Sequence, residues 1–342
     1  MKKENAQEIR SASISIIIAV RDGEKTIGRC LEALARQTVS LDDSELIVVD
    51  DGSRDRTADI ARDHGAIVVA HQTSRGPAAS RNTGASRAQG MILLFIDADC
   101  NASPEWVSEM LRPFEDPAVC AVHGAYRSRQ SGRVSQFAQA EFDERYEHLA
   151  RRETIDFLAT HAAAIREPIF DELGGFRTDM LGNEDVEMAF RLSEHGHKVV
   201  FAPRAVVYHE HPSTLLNYLR IKVSRGYWRT IAYGRHPHKI VEDAYTPFWL
   251  KSQVVAVLLC AITALGTAFR PQVLPVLVLL CGALLLTTVP FARFVRRVHP
   301  ELFPLAPCLS LARSAALAFG VLAGLPVAML NCLRSFLGTL RS

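Results

Sequence analysis

Three apolar runs that follow Trp249 constrain this chain more than any other feature. Val254–Phe269, Val273–Val289 and Ala315–Leu330 each approach the roughly 20 residues needed to cross about 30 Å of hydrocarbon. No charged side chain interrupts them, so none offers the polar face that a helix of a soluble bundle shows to water. Only Asn331 separates the third run from Leu333, and Arg313 falls just before it, where a long side chain is expected to snorkel to the interface. The reading is a membrane domain over residues 250–342 with about three transmembrane helices.

Charge divides where hydropathy divides. Residues 250–342 hold eight Lys or Arg against one acid, Glu301, or +7, and residues 1–249 hold 31 bases against 36 acids, or −5. An acidic globular part argues against nucleic acid as a partner, and a basic apolar tail suits a bilayer with anionic lipids. Arg293, Arg296 and Arg297 lie between the second and third runs, so the positive-inside rule puts that connection in the cytoplasm. Counting back two crossings, the N-terminal domain is expected on the cytoplasmic side of the cell membrane in a multi-pass protein. The start, Met1-Lys2-Lys3-Glu4, lacks the apolar stretch of a secretory signal, so that domain is expected to stay where it is made. The seven cysteines form no C-x-x-C pair, which signals neither zinc nor a disulfide framework and fits a reduced compartment.

Before the membrane, short apolar runs alternate with amphipathic ones. Ile14–Val20, Leu46–Asp50, Ile67–Ala70, Met91–Asp97 and Val119–Tyr126 read as strands. Thr26–Gln37, Arg56–His64, Pro77–Ala88 and Pro104–Phe114 between them have helical spacing. Strict alternation implies an α/β domain with a doubly wound, mostly parallel sheet, whose ligands bind beyond the carboxyl ends of the strands.

Acidic groups stand at those ends. Asp50-Asp51-Gly52-Ser53 closes the second strand, where a carboxylate can accept hydrogen bonds from a base or ribose, although a surface turn often has this composition. Asp97-Ala98-Asp99 closes the fourth. Residues two apart on an extended backbone point to the same side, so both carboxylates can face one divalent cation, Mg²⁺ or Mn²⁺, which would stabilise a leaving diphosphate. Gly182-Asn183-Glu184-Asp185 precedes a helix, in whose first turn acids also serve as caps.

In order along the chain, these segments resemble the inverting family 2 glycosyltransferases of GT-A fold. The resemblance covers roughly residues 13–230. Its motifs are Ser13–Asp22 with Glu24–Ile27, Val48–Ser53 with Asp55 and Thr57, Gly76–Gly84, Asp97-Ala98-Asp99, and Gly174-Gly175-Phe176 ahead of Glu184-Asp185. The resemblance implies a catalytic domain over 1–212, a basic aromatic interfacial region over 213–249 and the membrane domain beyond. It implies a nucleotide-sugar donor held by Ala19, Arg21, Asp50, Asp51, Arg81, Asp97 and Ala98. A metal would be held by Asp97, Asp99 and His209, Glu184 would stand on the acceptor side, and Asp185 would be the general base. A base on the face opposite the leaving nucleotide takes the acceptor proton, and a single displacement inverts the anomeric centre.

Two departures matter. Ala19, Arg21 and Asp22 stand where the family often has Pro, an aromatic and Asn, so Arg21 is expected to stack its guanidinium plane in place of a ring. Ser224-Arg225-Gly226-Tyr227-Trp228 replaces the Gln-x-x-Arg-Trp signature of processive synthases, which favours transfer of single sugars. His211 is the weaker of the two histidines near the metal motif. Tyr218–Lys239 holds six bases, four aromatics and no acid, as an interfacial helix against anionic headgroups would, and suggests a lipid-linked acceptor, hydroxyl or phosphate, beside the saccharide alternative. Other readings of the whole are a catalytically silent nucleotide-binding membrane scaffold and a nucleotidyltransferase.

Overall fold

A computed structural model describes residues 14–339, with side chains to residue 332. The polar start Met1–Glu4 and Ser13 lie outside the described residues, as do Arg341 and the side chains of Leu333 and Arg334. The described residues up to Arg129 with His148–Glu210 form one compact unit, and Gln130–Glu147 with the described residues from His211 onward form another.

The first unit is built on an eight-stranded sheet: β1 (Ile14–Val20), β2 (Glu45–Asp50), β3 (Ile67–Ala70), β4 (Ile92–Phe95), β5 (Asn101–Ala102), β6 (Val119–Arg127), β7 (Ala163–Arg166) and β8 (Lys198–Tyr208), in the order β3-β2-β1-β4-β7-β6-β8-β5. β1 runs parallel to β2 and β4, β2 to β3, and β6 to β8. β7 is antiparallel to both its neighbours, and β5 to β8. This is the GT-A arrangement of a mixed α/β sheet. The runs Ile16–Ile18 and Ile92–Phe95 are buried throughout, as strands covered by helices on both faces must be. β7 was not legible in advance because Ala163-Ala164-Ile165-Arg166 is too short and too rich in alanine to carry a strand period.

The second unit is helical. Helices Leu215–Arg235 and Ala306–Thr339 approach so closely that a Cβ on Gly226 would lie 2.5 Å from the Leu317 carbonyl oxygen and one on Gly324 2.8 Å from that of Tyr227. Glycine is therefore required at this crossing, the device by which small residues bring helix backbones together. Among the described residues, three helices, Phe248–Phe269, Pro271–Val298 and Ala306–Cys332, are long and apolar enough to cross a membrane. Large apolar side chains such as Leu265, Phe269, Leu279 and Phe319 are exposed along them.

Two expectations are corrected here. Arg313 does not snorkel, because it lies inside the third apolar helix and is fully buried. Its guanidinium lies 4.9 Å from the ring centroids of both Trp249 and Phe291, its Nη2 donates to Gln253 at 3.3 Å, and its Nη1 is 3.7 Å from the Glu141 carboxylate. Nor do all six bases of Tyr218–Lys239 face outward to headgroups. Lys222 is buried and donates to Glu141 at 2.6 Å, and the Tyr218 hydroxyl donates to the same carboxylate. Arg145, one turn along from Glu141, adds a third cation at 3.4 Å. The acid that balances this basic stretch comes from helix Arg133–Leu149, some eighty residues earlier in the chain.

Candidate active site

The parallel register sets the site. Val20 pairs with Asp50 and Ile17 with Phe95, so the residues after β1, β2 and β4 emerge at one edge of the sheet. Asp50 closes the β2 turn by accepting the Ser53 N–H at 2.9 Å. Gly52 sits at φ 75°, a conformation that glycine adopts without steric cost. Asp51 accepts from His71 Nδ1 (2.8 Å), Ser74 Oγ (2.6 Å), Arg75 N (2.8 Å) and Gly76 N (2.9 Å). Burial pushes this carboxyl up, but those four bonds outweigh it and hold it down at about 2. A carboxylate can only accept, so His71 presents Nδ1–H to it, and Nε2 bonds the Thr83 hydroxyl at 3.1 Å. Asp51 thus fastens the segment 71–76 and fixes the entry of helix Pro77–Ala85.

That helix carries Arg81, which is buried and reaches two acids at once. Nη2 donates to Asp97 Oδ1 at 2.8 Å and Nη1 to Glu184 Oε1 at 2.5 Å. Burial alone would weaken the guanidinium's hold on its proton, but Asp97, Glu184 and Asp185 raise it, so Arg81 stays charged. Glu184 and Asp185 open helix Glu184–Glu194 behind Asn183, whose φ is 58°. Asp185 accepts the Val186 N–H at 2.8 Å through one oxygen and the Thr160 N–H at 3.2 Å through the other. Burial pushes the Asp185 carboxyl above its ordinary range. Asp97 adds to that push, while Arg81 and the two backbone donors oppose it. These two bonds leave each carboxylate oxygen a second lone pair.

The metal motif departs from its expected geometry. β4 ends at Phe95, and Cys100 N donates to Asp97 O at 3.0 Å, so Asp97–Cys100 is a turn and not an extended strand end. The two carboxylates consequently part: Asp97 faces Arg81, and Asp99 Oδ2 lies 2.8 Å from His209 Nε2. Burial pushes Asp99 up and His209 down, but each partner's opposing effect prevails, leaving Asp99 below and His209 above its usual range. His209 Nδ1 bonds the Tyr126 hydroxyl. Ligand atoms of Asp99, Cys100 and His209 lie within 4.8 Å of one another. Burial and the charges of Asp97 and Asp99 push the Cys100 thiol well above its usual range, and sulfur suits neither Mg²⁺ nor Mn²⁺. The oxygen and nitrogen of Asp99 and His209 do fit, since ligands adjacent in an octahedron at about 2.1 Å from the ion are about 3 Å apart.

Of the remaining expected residues, Ala19 is next to last in β1 and Ala98 lies in the Asp97–Cys100 turn. Arg21 is half exposed and paired only loosely, at 3.7 Å, with its neighbour Asp22. His211 belongs to the helical unit, where Nε2 lies 3.0 Å from Gln139 Oε1 and the ring stacks on Phe142. His71, Ser74 and Tyr126 were not singled out from sequence. For His71 the signal was its place one residue past the strand Ile67–Ala70, and for Tyr126 its place next to last in β6.

Residues 15–174 match the sequence model of Glycosyl transferase family 2. This is a family 2 glycosyltransferase domain. The match ends before Glu184, so the helix that carries Asp185 and the strand that leads to His209 lie beyond it. Over 235 residues the chain is 29% identical to a pre-mycofactocin glycosyltransferase of Mycobacterium tuberculosis, covering 66% of this chain and 48% of that protein. It is 26% identical over 200 residues to the glycosyltransferase AglE of Haloferax volcanii, covering 55% and 64%. The chain therefore spans about half to two-thirds of the length of these curated relatives. A solved mannosyltransferase from Pyrobaculum calidifontis, in complex with GDP-Man and Mn²⁺, superposes with a TM-score of 0.60 at 18% identity over 91% of this chain and 86% of that one. The family 2 domain shares its fold.

Proposed function

We propose that the family 2 domain transfers a single sugar from a nucleotide-sugar donor to an acceptor hydroxyl or phosphate on a lipid carrier, with inversion. The observation that carries this reading is the Arg81 bridge, which joins Asp97 at the end of β4 to Glu184 and so sets the neighbouring Asp185 beside the strand ends. The donor nucleotide lies along Ala19, Arg21, Asp50 and the segment that Asp51 fastens, with Arg81, Asp97 and Ala98 at its diphosphate end. Asp99 and His209 would hold Mg²⁺ or Mn²⁺, which when bound neutralises the leaving diphosphate, while Asp97 is turned to Arg81.

Asp185 takes the acceptor proton. An acceptor hydroxyl is a poor nucleophile at neutral pH, and a carboxyl raised by burial is a stronger base than an exposed one. Glu184, its charge tied to Arg81, orients the acceptor side. The absence of the processive signature supports single transfer, since Gly226 in its place is taken up by the close contact with Leu317.

The three apolar helices support membrane association, with the catalytic domain and Arg293, Arg296 and Arg297 on the cytoplasmic side. Arg220 and Arg225 are exposed beside Leu215, Leu216 and Ile221 on helix Leu215–Arg235, the composition of a helix lying among headgroups. That placement favours a lipid-linked acceptor. The test is incubation of the full chain with membrane lipids and UDP-, GDP- and dTDP-sugars, with and without EDTA, followed by mass spectrometry. A lipid gaining one hexose mass, lost in EDTA, is expected. Donor binding without transfer or hydrolysis would favour a silent scaffold, and nucleotide transfer would favour a nucleotidyltransferase.

A further inference from the structure

The geometry points to Tyr126 as a positioning residue that lets His209 alternate between Asp99 and a bound divalent cation without losing its second hydrogen bond. The inference rests on the reading above that Asp99 and His209 hold the cation. Tyr126 is 7% exposed near the end of β6. β6 pairs with β8 in parallel, Tyr126 opposite Val207 and Arg127 opposite Tyr208, and His209 N donates to Arg127 O at 3.0 Å. The backbone of His209 is thereby fixed to the strand that carries the tyrosine. The two rings lie 5.0 Å apart at 34°, and His161 packs edge-on against Tyr126 at 4.8 Å, so the hydroxyl has little freedom to move away from Nδ1.

The chemistry of the hydroxyl gives the arrangement its use. Without a cation, His209 Nε2–H donates to Asp99 Oδ2, since a carboxylate only accepts, and Nδ1, protonated or bare, bonds the Tyr126 hydroxyl. With a cation on Nε2, that nitrogen offers its lone pair, the proton sits on Nδ1, and Nδ1–H needs an acceptor. A tyrosine hydroxyl serves both, by rotating its O–H. Exchanging Asp99 for the cation at Nε2 breaks no bond to Tyr126. A cation that must arrive with each donor and leave with each nucleotide product would find His209 held in place in both states.

The test is Mn²⁺ binding to the full chain in detergent, followed by EPR of free Mn²⁺ with no donor present. Loss of an outer partner of a metal-bound histidine typically costs about 10- to 100-fold in affinity, and Tyr126→Phe is expected to raise the Kd within that range while keeping the ring contacts. His209→Ala should weaken binding at least as much, and adding Tyr126→Phe to it should change Kd less than twofold. An unchanged Kd in Tyr126→Phe, with His209→Ala weakened, overturns the inference and leaves the metal assignment standing. An unchanged Kd in His209→Ala overturns the assignment itself. A further loss in the double variant shows that Tyr126 acts through the fold. If Tyr126→Phe fails to fold, ¹⁵N shifts of the His209 ring in unmutated protein decide: added Mg²⁺ should leave Nδ1 protonated, and a bare Nδ1 with metal bound contradicts the proposal.

Discussion

Replacing Glu141 by Gln should destabilise the helical unit by several kcal/mol. Its carboxylate is 1% exposed and serves Lys222 at 2.6 Å, Arg145 at 3.4 Å, Arg313 at 3.7 Å and the Tyr218 hydroxyl. Gln keeps the shape and removes the shared counter-ion. Breaking a buried ion pair by removing one partner typically costs about 3–5 kcal/mol, because the charges left behind are neither solvated nor paired. Burial already drives Lys222 down to about 7 against the pull of Glu141, so in the variant its ammonium sheds a proton and caps its share of the penalty. Arg145 and Arg313 have no such escape. For a unit of this size 1 kcal/mol corresponds to about 2–4 °C in Tm, and the expected loss is therefore about 6–20 °C. The assay is thermal unfolding of the full chain in detergent beside Glu147→Gln, whose pair with Arg297 is 2.6 Å long but lies 46% and 59% exposed. An exposed pair is worth about 0–1 kcal/mol, so that control should melt close to the parent. Equal melting temperatures for the two variants would refute the argument that Glu141 neutralises the buried cations.

Three further outcomes are expected. Arg81→Lys keeps the charge but cannot fork between Asp97 and Glu184, and kcat/KM for transfer should fall about 100-fold, the scale of a small misplacement in a catalytic group; steady-state kinetics within threefold of the parent would contradict the bridge. Asp51 is held at about 2, below its usual 3.8, so it contributes about 2 kcal/mol of stability that is fully present above pH 3.8 and lost as pH falls towards 2; denaturant titrations at stepped pH should show this component in the parent and not in Asp51→Asn. Cysteines placed at Arg293 and Arg270 should label from opposite sides in intact cells, with the site at 293 protected from outside reagents, and outside labelling of 293 would reverse the topology.

What sequence revealed and what it hid follow from range. Ile14–Val20, Ile67–Ala70 and the start of helix Pro77–Ala85 were placed to the residue because their signals are local: an apolar run, a glycine, a proline at the first turn. The Asp97–Cys100 turn was misread as extended because Asp-Ala-Asp carries no period, and only the hydrogen bond from Cys100 N shows that the chain turns. The Arg81 bridge spans 103 residues to Glu184, and the Asp99–His209 contact spans 110. No spacing rule reports such distances. Arg313 was misjudged for the same reason: its partners Glu141, Gln253, Trp249 and Phe291 are dispersed over three other helices, and none is near it in sequence.

The most direct test of the catalytic account separates transfer from donor binding in Asp185→Asn. Asn keeps the size of the side chain and an oxygen to accept from Val186 or Thr160, and it caps helices as well as Asp does. It removes only the proton acceptor, a loss that typically costs about 10² to 10⁴ in rate. Because burial raises the Asp185 carboxyl, transfer by the parent should also fade, as pH falls, at a pH above that of an ordinary aspartate. The measurement is kcat with a competent acceptor, set beside calorimetric binding of the donor nucleotide with Mn²⁺. A kcat reduced at least 100-fold with nucleotide affinity unchanged is the predicted result, and a kcat near that of the parent would contradict the assignment of Asp185 as the base.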